Sequence, residues 1–195
     1  MSAKTDINLL PKIPYLALRR HVQTGDILFY GGDDDISRLI CEITSSIWSH
    51  VGIIYKMHSP NRVMLLESVE SSGVRLIPLS TYIKGVIDES DEEKPDARLL
   101  VARHKHLEDK KIDTLINFGL DQIGQPYDLD EVRRIMHRIR AGEGKAIRDK
   151  AYMCSELVYE CFKTVDIEIP YNTLGFISPQ DIWIDNNVVP IAMVG

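Results

Sequence analysis

The sequence has few cysteines, no long apolar run and no excess of positive charge, and each of these absences excludes a class of protein. Its 195 residues include three cysteines, an odd and sparse set without zinc-ligand spacing, which argues against a disulfide framework. No apolar run approaches the roughly 18 residues that a membrane-spanning helix needs, and the N-terminal residues show no secretory cleavage pattern. The net charge of −6 argues against a nucleic-acid partner. We therefore expect a cytoplasmic protein without a transmembrane segment.

The composition is that of a folded protein of moderate size. With 44% hydrophobic residues, the chain can bury one sizeable core, so we expect a single domain over residues 1–195. A basic segment at about 129–150 interrupts the pattern of apolar residues, and it is interpreted either as a solvated helix face and loop or as a patch for an anionic ligand. The acidic stretch from Asp88 to Asp96 is expected to form an exposed loop.

Apolar periodicity predicts strands and helices without strict alternation, which is typical of the α+β class. The predicted helices run from Asp34 or Asp35 to about residue 44, over 107–123 and over 154–165, and the predicted strands cover 26–30, 50–55, 63–67, 74–77, 99–102 and about 188–194. The three strands between residues 50 and 77 are close enough in sequence for an antiparallel meander. Because Pro190 has no backbone N–H, we expect the last strand at a sheet edge.

Cys154 stands where the third predicted helix begins. The first N–H groups of a helix are unpaired and its dipole is positive there, so this position stabilises a thiolate and can hold an oxyanion. The alternative is a small buried hydrophobic residue. Cys41 and Cys161 lie on apolar helix faces and are expected to be core residues.

A nucleophilic cysteine needs a base, and His50 is the histidine that opens an apolar strand among six candidates. The alternative for His50 is a structural histidine. Glu67 closes another apolar strand and could orient the imidazole, or it could be an ordinary strand-end glutamate in water. His104 and His106 could face one side as metal ligands, but without clear companions a solvated surface is the better interpretation.

Five segments in a fixed order resemble a known family. They are Gly25-Asp-Ile-Leu-Phe, Ser49-His-Val-Gly-Ile, Leu66-Glu-Ser68 followed by Gly73-Val74, Gly124-Gln-Pro-Tyr-Asp128 and Tyr152-Met-Cys-Ser-Glu-Leu-Val158. Together, over roughly Thr24 to Val165, they resemble the permuted NlpC-type papain-like cysteine hydrolases of the YiiX/YebB-like group. In ordinary papain-like enzymes the cysteine precedes the histidine, whereas here His50 precedes Cys154, as a circular permutation would give.

The resemblance implies a circularly permuted papain-like fold, with a small antiparallel sheet or partial barrel packed against helices. It also implies Cys154 as the nucleophile, His50 as the general base and Glu67 as the group that orients the base. Tyr127 and Tyr152 match aromatic positions of the family motifs and are expected to line the substrate cleft.

We therefore expect a metal-free and cofactor-free thiol hydrolase that cleaves an amide bond through an acyl-enzyme. Its expected partner is a small peptide, amide or acyl-lipid substrate. One alternative is a lipid acyltransferase or esterase that uses the same Cys-His pair. The other is a non-catalytic module that binds a peptide or lipid, because fold alone does not establish activity.

Overall fold

The computed structural model describes residues 6–32, 35–88, 98–128, 130, 134, 153–173 and 175–195. Within these residues there are six α-helices: α1 (Tyr15–His21), α2 (Asp35–Thr44), α3 (Leu79–Asp88), α4 (Ile112–Asp121), α5 (Cys154–Lys163) and α6 (Pro179–Ile184). The strands are β1 (Lys12–Ile13), β2 (Ile27–Gly31), β3 (His50–Met57), β4 (Arg62–Val69), β5 (Gly73–Pro78), β6 (Arg98–His104) and β7 (Val188–Val194). The α+β class is confirmed.

The described strands form one sheet in the order β1-β7-β6-β2-β3-β4-β5, and this sheet is not closed into a barrel. The short pair of β1 with β7 is parallel, and the other neighbouring strands are antiparallel. The predicted meander is formed by β3, β4 and β5. Its register pairs Ile53 with Leu66 and Glu67 with Arg75, which decides which side chains meet across the strands.

Helices cover both faces of the sheet because its central strands are apolar on both sides. In β2, Ile27 and Phe29 belong to the larger core cluster, which includes apolar residues of α4, α5 and α6. Leu28, between them in sequence, belongs to a second cluster with residues of α1 and α3. Successive residues of β2 belong to different clusters because side chains alternate between the two faces of a strand. A near-continuous apolar run in a strand is therefore explained by helices on both of its faces.

The predicted helix at 107–123 begins later than expected. A turn closed by Leu107 N–H and His104 C=O, followed by a 3-10 turn at Asp109–Lys111, comes before α4 begins at Ile112. Three helices were not predicted. These are α1, α3, which follows β5 directly, and α6, which lies between the last predicted helix and the last predicted strand.

The prediction that the last strand lies at a sheet edge is wrong, because β7 lies between β6 and β1. The strand tolerates Pro190 because β1 pairs only with Met193 and Val194, which leaves the proline beyond its reach. On the other side, Pro190 is opposite Ala102 at an irregularity in the β6–β7 register. The missing N–H therefore interrupts no regular ladder.

Two predicted surface segments fall largely outside the described residues. The acidic loop lies outside them except for Asp88, which ends α3. Of the basic segment at 129–150, only Asp130 and Arg134 are described. Arg134 donates a hydrogen bond of 3.2 Å to the carboxylate of Asp128, which is buried. Among the described residues, no helix combines the length and apolar character that crossing a membrane requires.

Candidate active site

Cys154 is the first residue of α5 and lies at the edge of the larger core cluster with 5% of its surface exposed. Met153 precedes it in an extended conformation, and the Met153 N–H donates 3.1 Å to the carboxylate of Glu156. The hydroxyl of Ser155 donates 2.8 Å to the carbonyl of Ile177, which anchors the first turn of the helix. The thiol is thus held at a fixed helix N-terminus, where the N–H groups of the first turn have no partner within the helix.

His50 and Glu67 form a close pair. Nε2 of His50 lies 2.7 Å from Oε2 of Glu67, and the Glu67 side chain is fully buried. The interpretation of Glu67 as a strand-end residue in water is therefore wrong, since β4 continues to Val69 and α3 covers this face of the sheet. A carboxylate can only accept a hydrogen bond, so Nε2 carries a proton and Nδ1 is the nitrogen left to exchange a proton elsewhere.

The Cys154 side chain interacts with His50 as a charge and as a hydrogen-bond partner. Burial alone would lower the pKa of His50, but the interactions with Cys154 and Glu67 outweigh burial and raise the pKa to about 10. The contacts on both sides favour the imidazolium form of His50. An imidazolium stabilises a thiolate beside it.

Arg75 contacts the other oxygen of Glu67. Its Nε and Nη2 both approach Oε1, at 2.8 and 2.7 Å, so His50 and Arg75 each occupy a different carboxylate oxygen. Burial raises the pKa of Glu67, but the hydrogen bonds and charges of His50 and Arg75 outweigh burial and hold the pKa below its ordinary value. A fully buried carboxylate remains ionised here because two cationic groups face it.

Tyr82 of α3 was not predicted as a site residue. Its ring stacks on that of His50, with centroids 6.4 Å apart and an angle of 25° between the planes. Tyr30 meets Tyr82 edge-on at 6.3 Å. Burial, with the charges of Glu67, Tyr30 and Cys154, raises the pKa of Tyr82 well above 10, so its hydroxyl is neutral. The apolar spacing of Leu79, Tyr82 and Ile83 was the signal in the sequence that could have identified this helix.

Tyr127 lies close enough to Cys154 to feel its charge. Burial raises the pKa of Tyr127 first, and the charges of Cys154 and nearby carboxylates raise it further. Its segment is held on β5 by two backbone hydrogen bonds of 2.9 Å, from Val74 N–H to Gln125 C=O and from Gly124 N–H to Val74 C=O. The segments containing Gly73-Val74 and Gly124-Gln-Pro-Tyr are therefore in contact. Tyr152 lies outside the described residues.

The other candidate residues lie elsewhere. Cys161 is fully buried in the core, and burial raises the pKa of its thiol, so it is not a nucleophile. Cys41 is half-buried on α2, and none of the three cysteines forms a disulfide. His106 is exposed, but His104 is 3% exposed, 3.6 Å from Asp185, and its pKa is lowered by burial. The expectation of a solvated His104 is wrong, because the ring packs against Phe162.

The chain belongs to the family described as permuted papain-like amidase enzyme, YaeF/YiiX, C92 family, whose model matches residues 21–181. This assignment supports a hydrolase role at the level of the family. The match includes the three candidate residues His50, Glu67 and Cys154.

One solved structure similar to this fold is that of the metalloprotein yiiX from Escherichia coli O157:H7. The two share a TM-score of 0.64 and 18% sequence identity, and the match covers 87% of this chain and 96% of that chain. At this identity the likeness shows a common fold. No curated protein matches the sequence.

Proposed function

We propose that the protein is a cysteine amidase in which Cys154 is the nucleophile, His50 the general base and Glu67 the residue that orients His50. The observation that carries the proposal is the position of His50, which contacts the buried Glu67 at 2.7 Å and interacts with the Cys154 thiol. A nucleophile, a base and a carboxylate in this chain of contacts are what acyl transfer to a thiol requires.

The reaction begins when Cys154 gives its proton to Nδ1 of His50. The thiolate sulfur attacks the substrate carbonyl carbon, a C–S bond forms, and the carbonyl π electrons move to the oxygen. As the tetrahedral intermediate collapses, the C–N bond breaks and the amine leaves with the proton from His50. Water then attacks the thioester while His50 takes its proton, and the C–S bond breaks to give a carboxylic acid and the free thiol.

The start of α5 supplies the stabilisation that the oxyanion needs. Its first backbone N–H groups have no intrahelical acceptor, so they are free to donate to the oxygen on the attacked carbon. Tyr127, whose hydroxyl is neutral because burial raises its pKa, is close enough to Cys154 to feel its charge, and we assign it to the wall of the substrate cleft. The amide substrate is thus bound between the helix start and the segment that carries Tyr127.

The proposed mechanism has no step that uses a metal. The name of the yiiX structure describes that protein as a metalloprotein. In this chain, the described residues include no group of three or more His, Cys, Asp or Glu side chains placed to hold a metal ion. Cys154, His50 and Glu67 are instead engaged with one another. Activity that is unchanged by a chelator is the expected result, and activity that is lost and then restored by zinc would contradict the mechanism.

We also propose that the protein acts as a single domain in a reducing compartment such as the cytoplasm. Two observations support this. Strands from β1, near residue 12, to β7, near residue 194, join one sheet. None of the three cysteines forms a disulfide, as is usual in a reducing compartment.

The test is to trap the acyl-enzyme. The protein is mixed with a panel of peptide amides, small amides and fatty acyl esters, quenched in acid and analysed by intact mass followed by peptide mapping. We expect an acyl adduct on Cys154 with amides, and loss of turnover by roughly 10³-fold or more in Cys154→Ala. An adduct formed faster from acyl esters than from any amide would favour the acyltransferase alternative.

Cys161→Ala is the matched control, because Cys161 lies on the same helix and is also buried. It should retain turnover while losing some stability. If no substrate in the panel acylates Cys154, and Cys154→Ala unfolds as readily as a core variant, the non-catalytic binding module becomes the better account.

A further inference from the structure

Glu67 is a buried carboxylate, and each of its two oxygens is contacted by a side chain from a different neighbouring strand. On β3, His50 contacts Oε2, and on β5, Arg75 donates a hydrogen bond from Nε to Oε1 and places Nη2 2.7 Å from the same oxygen. Glu67 and Arg75 are direct partners in the β4–β5 register, so their backbones hold the two side chains opposite each other. The remaining Arg75 nitrogen, Nη1, lies 3.5 Å from the hydroxyl of Ser72, which steadies the guanidinium.

Because Arg75 occupies Oε1, it selects the orientation in which Oε2 faces His50. It also opposes the effect of burial on the charge of Glu67. Four groups of the described residues act on this carboxylate or on the histidine it contacts: His50 from β3, Arg75 from β5, Tyr82 from α3 and Cys154 from α5. Arg75 is the one among them with a permanent positive charge.

We propose that Arg75 is a positioning residue that keeps Glu67 ionised and aimed at His50, and that it thereby sets the pH at which Cys154 becomes reactive. Without the guanidinium, Glu67 loses the charge and the hydrogen bond that offset its burial, so it takes up a proton more readily. A neutral Glu67 stabilises the imidazolium less, and the thiolate then loses part of the positive charge beside it. The inference rests on the proposed function, since it assigns Arg75 a role in the same proton exchange.

The experiment measures the rate at which limiting iodoacetamide alkylates Cys154, mapped by mass spectrometry from about pH 5 to about pH 9. The proteins compared are the wild type, Arg75→Met and Arg75→Lys. We expect Cys154 of the wild type to react already at about pH 6. In Arg75→Met, the plot of alkylation rate against pH should move up by about one pH unit, so Cys154 should react about tenfold more slowly at about pH 6. Near pH 9 the two rates should converge, which a general loss of structure would not produce.

Arg75→Lys tests whether charge carries the effect. Lysine keeps a positive group but lacks the forked donors of arginine. We expect this variant to stay within about threefold of the wild-type rate at about pH 6. If Arg75→Lys is as slow as Arg75→Met, the charge of Arg75 does not set the reactivity and the proposal is overturned.

Arg103→Met is a closely matched control. Arg103 also pairs by two nitrogens with a buried carboxylate, that of Asp26, and its exposed fraction of 36% is close to the 35% of Arg75. The pair lies between β2 and β6 and has no partner among the candidate site residues. Arg103→Met should lose stability without any shift of the labelling curve, and a shift equal to that of Arg75→Met would overturn the proposal.

The variants are expected to fold, because β5 is the outermost described strand on its side of the sheet. Thermal melting verifies this, and Arg75→Gln replaces Arg75→Met if the latter shows no cooperative transition. An Arg75→Met curve equal to that of the wild type overturns the role of Arg75 but leaves the proposed function in place. A wild-type Cys154 that shows no reactivity at low pH and no dependence on His50 overturns the proposed function itself.

Discussion

Gly52 faces Glu67 so closely that a Cβ atom at position 52 would lie 3.3 Å from the Cβ of Glu67. His50 is two residues earlier on the same face of β3, because side chains alternate along a strand. The absence of a side chain at position 52 therefore leaves room for the imidazole to lean along the strand and reach Oε2 of Glu67. The glycine of the Ser49-His-Val-Gly-Ile segment is explained by this contact.

Replacing Gly52 by Ala should damage both the fold and the site. The new methyl group would lie 2.9 Å from the carbonyl oxygen of Leu66 and 2.8 Å from a methyl of Leu65. Since a backbone oxygen cannot move aside easily, we expect a loss of about 1–3 kcal/mol in the free energy of unfolding, measured by urea denaturation. Alkylation of Cys154 at mildly acidic pH should slow as well. Unchanged stability and labelling would show that His50 does not need this space.

Gly73 holds the segment of Tyr127 against β5. It has a φ of +67°, and a Cβ there would clash with the carbonyl oxygen of Gln125. Gly73→Ala should therefore cost the roughly 1–2 kcal/mol of the left-handed conformation plus the cost of displacing residues 124–127. Turnover should fall with stability, because Tyr127 moves away from Cys154.

Gly124→Ala separates the cost of the left-handed conformation from the cost of displacing neighbouring residues. Gly124 has a φ of +90°, but a Cβ at this position would have no neighbouring atom within 4 Å. We expect this variant to show only the conformational strain, so it should be more stable than Gly73→Ala in the same urea series. Equal losses in the two variants would mean that the contact with Gln125 does not matter.

The raised pKa of His50 predicts how stability depends on pH. The pKa is about 10 in the folded protein and about 6.5 in the unfolded chain, so the folded state holds an extra proton between these values. The stabilisation is complete below about pH 6.5 and is lost as the pH rises toward 10. The difference in unfolding free energy between the wild type and His50→Gln should shrink over this window.

His104 serves as a control because its effect on the free energy of unfolding should change with pH in the opposite direction. Burial lowers its pKa in the folded protein, so the unfolded chain binds the extra proton and acid destabilises the fold. The difference between the wild type and His104→Gln should therefore grow as the pH rises through the ordinary pKa of histidine. If both differences followed pH in the same direction, the assignment of His50 as a charged, site-bound histidine would be contradicted.

Tyr82 is expected to limit the motion of the His50 ring. Tyr82→Phe keeps the stacked ring and should leave the rate of Cys154 alkylation nearly unchanged. Tyr82→Ala removes the ring, so His50 gains freedom and the low-pH rate should fall by roughly threefold to tenfold. A fall of the same size in Tyr82→Phe would mean that the hydroxyl rather than the ring acts on the site.

Local patterns predicted much of this fold. The central strands and helices α2 and α5 follow from apolar periods of two and 3.6, which depend on residues near in sequence. His50, Glu67 and Cys154 stood out because each lies at or near the end of an apolar element, and the structure brings the three side chains together.

What was missed depends on contacts between elements that are distant in sequence. Arg75 acts on Glu67 only because of the register between β4 and β5, and Tyr82 reaches His50 only because α3 folds back over the meander. Pro190 lies within a sheet because the neighbouring strand β1 has only two residues. His104 is buried because α5 covers its strand. Each outcome is set by tertiary packing, which periodicity along one segment does not encode.

The most direct test of the account is selective alkylation of the three cysteines. Wild-type protein and His50→Ala are exposed briefly to limiting iodoacetamide at mildly acidic to neutral pH, and each labelled cysteine is mapped by mass spectrometry. We expect Cys154 to be labelled first at low pH, its labelling to slow without His50, and the buried Cys161 to stay unmodified. Slow labelling of Cys154 that is indifferent to His50, or equal labelling of all three cysteines, would contradict the thiolate–imidazolium pair.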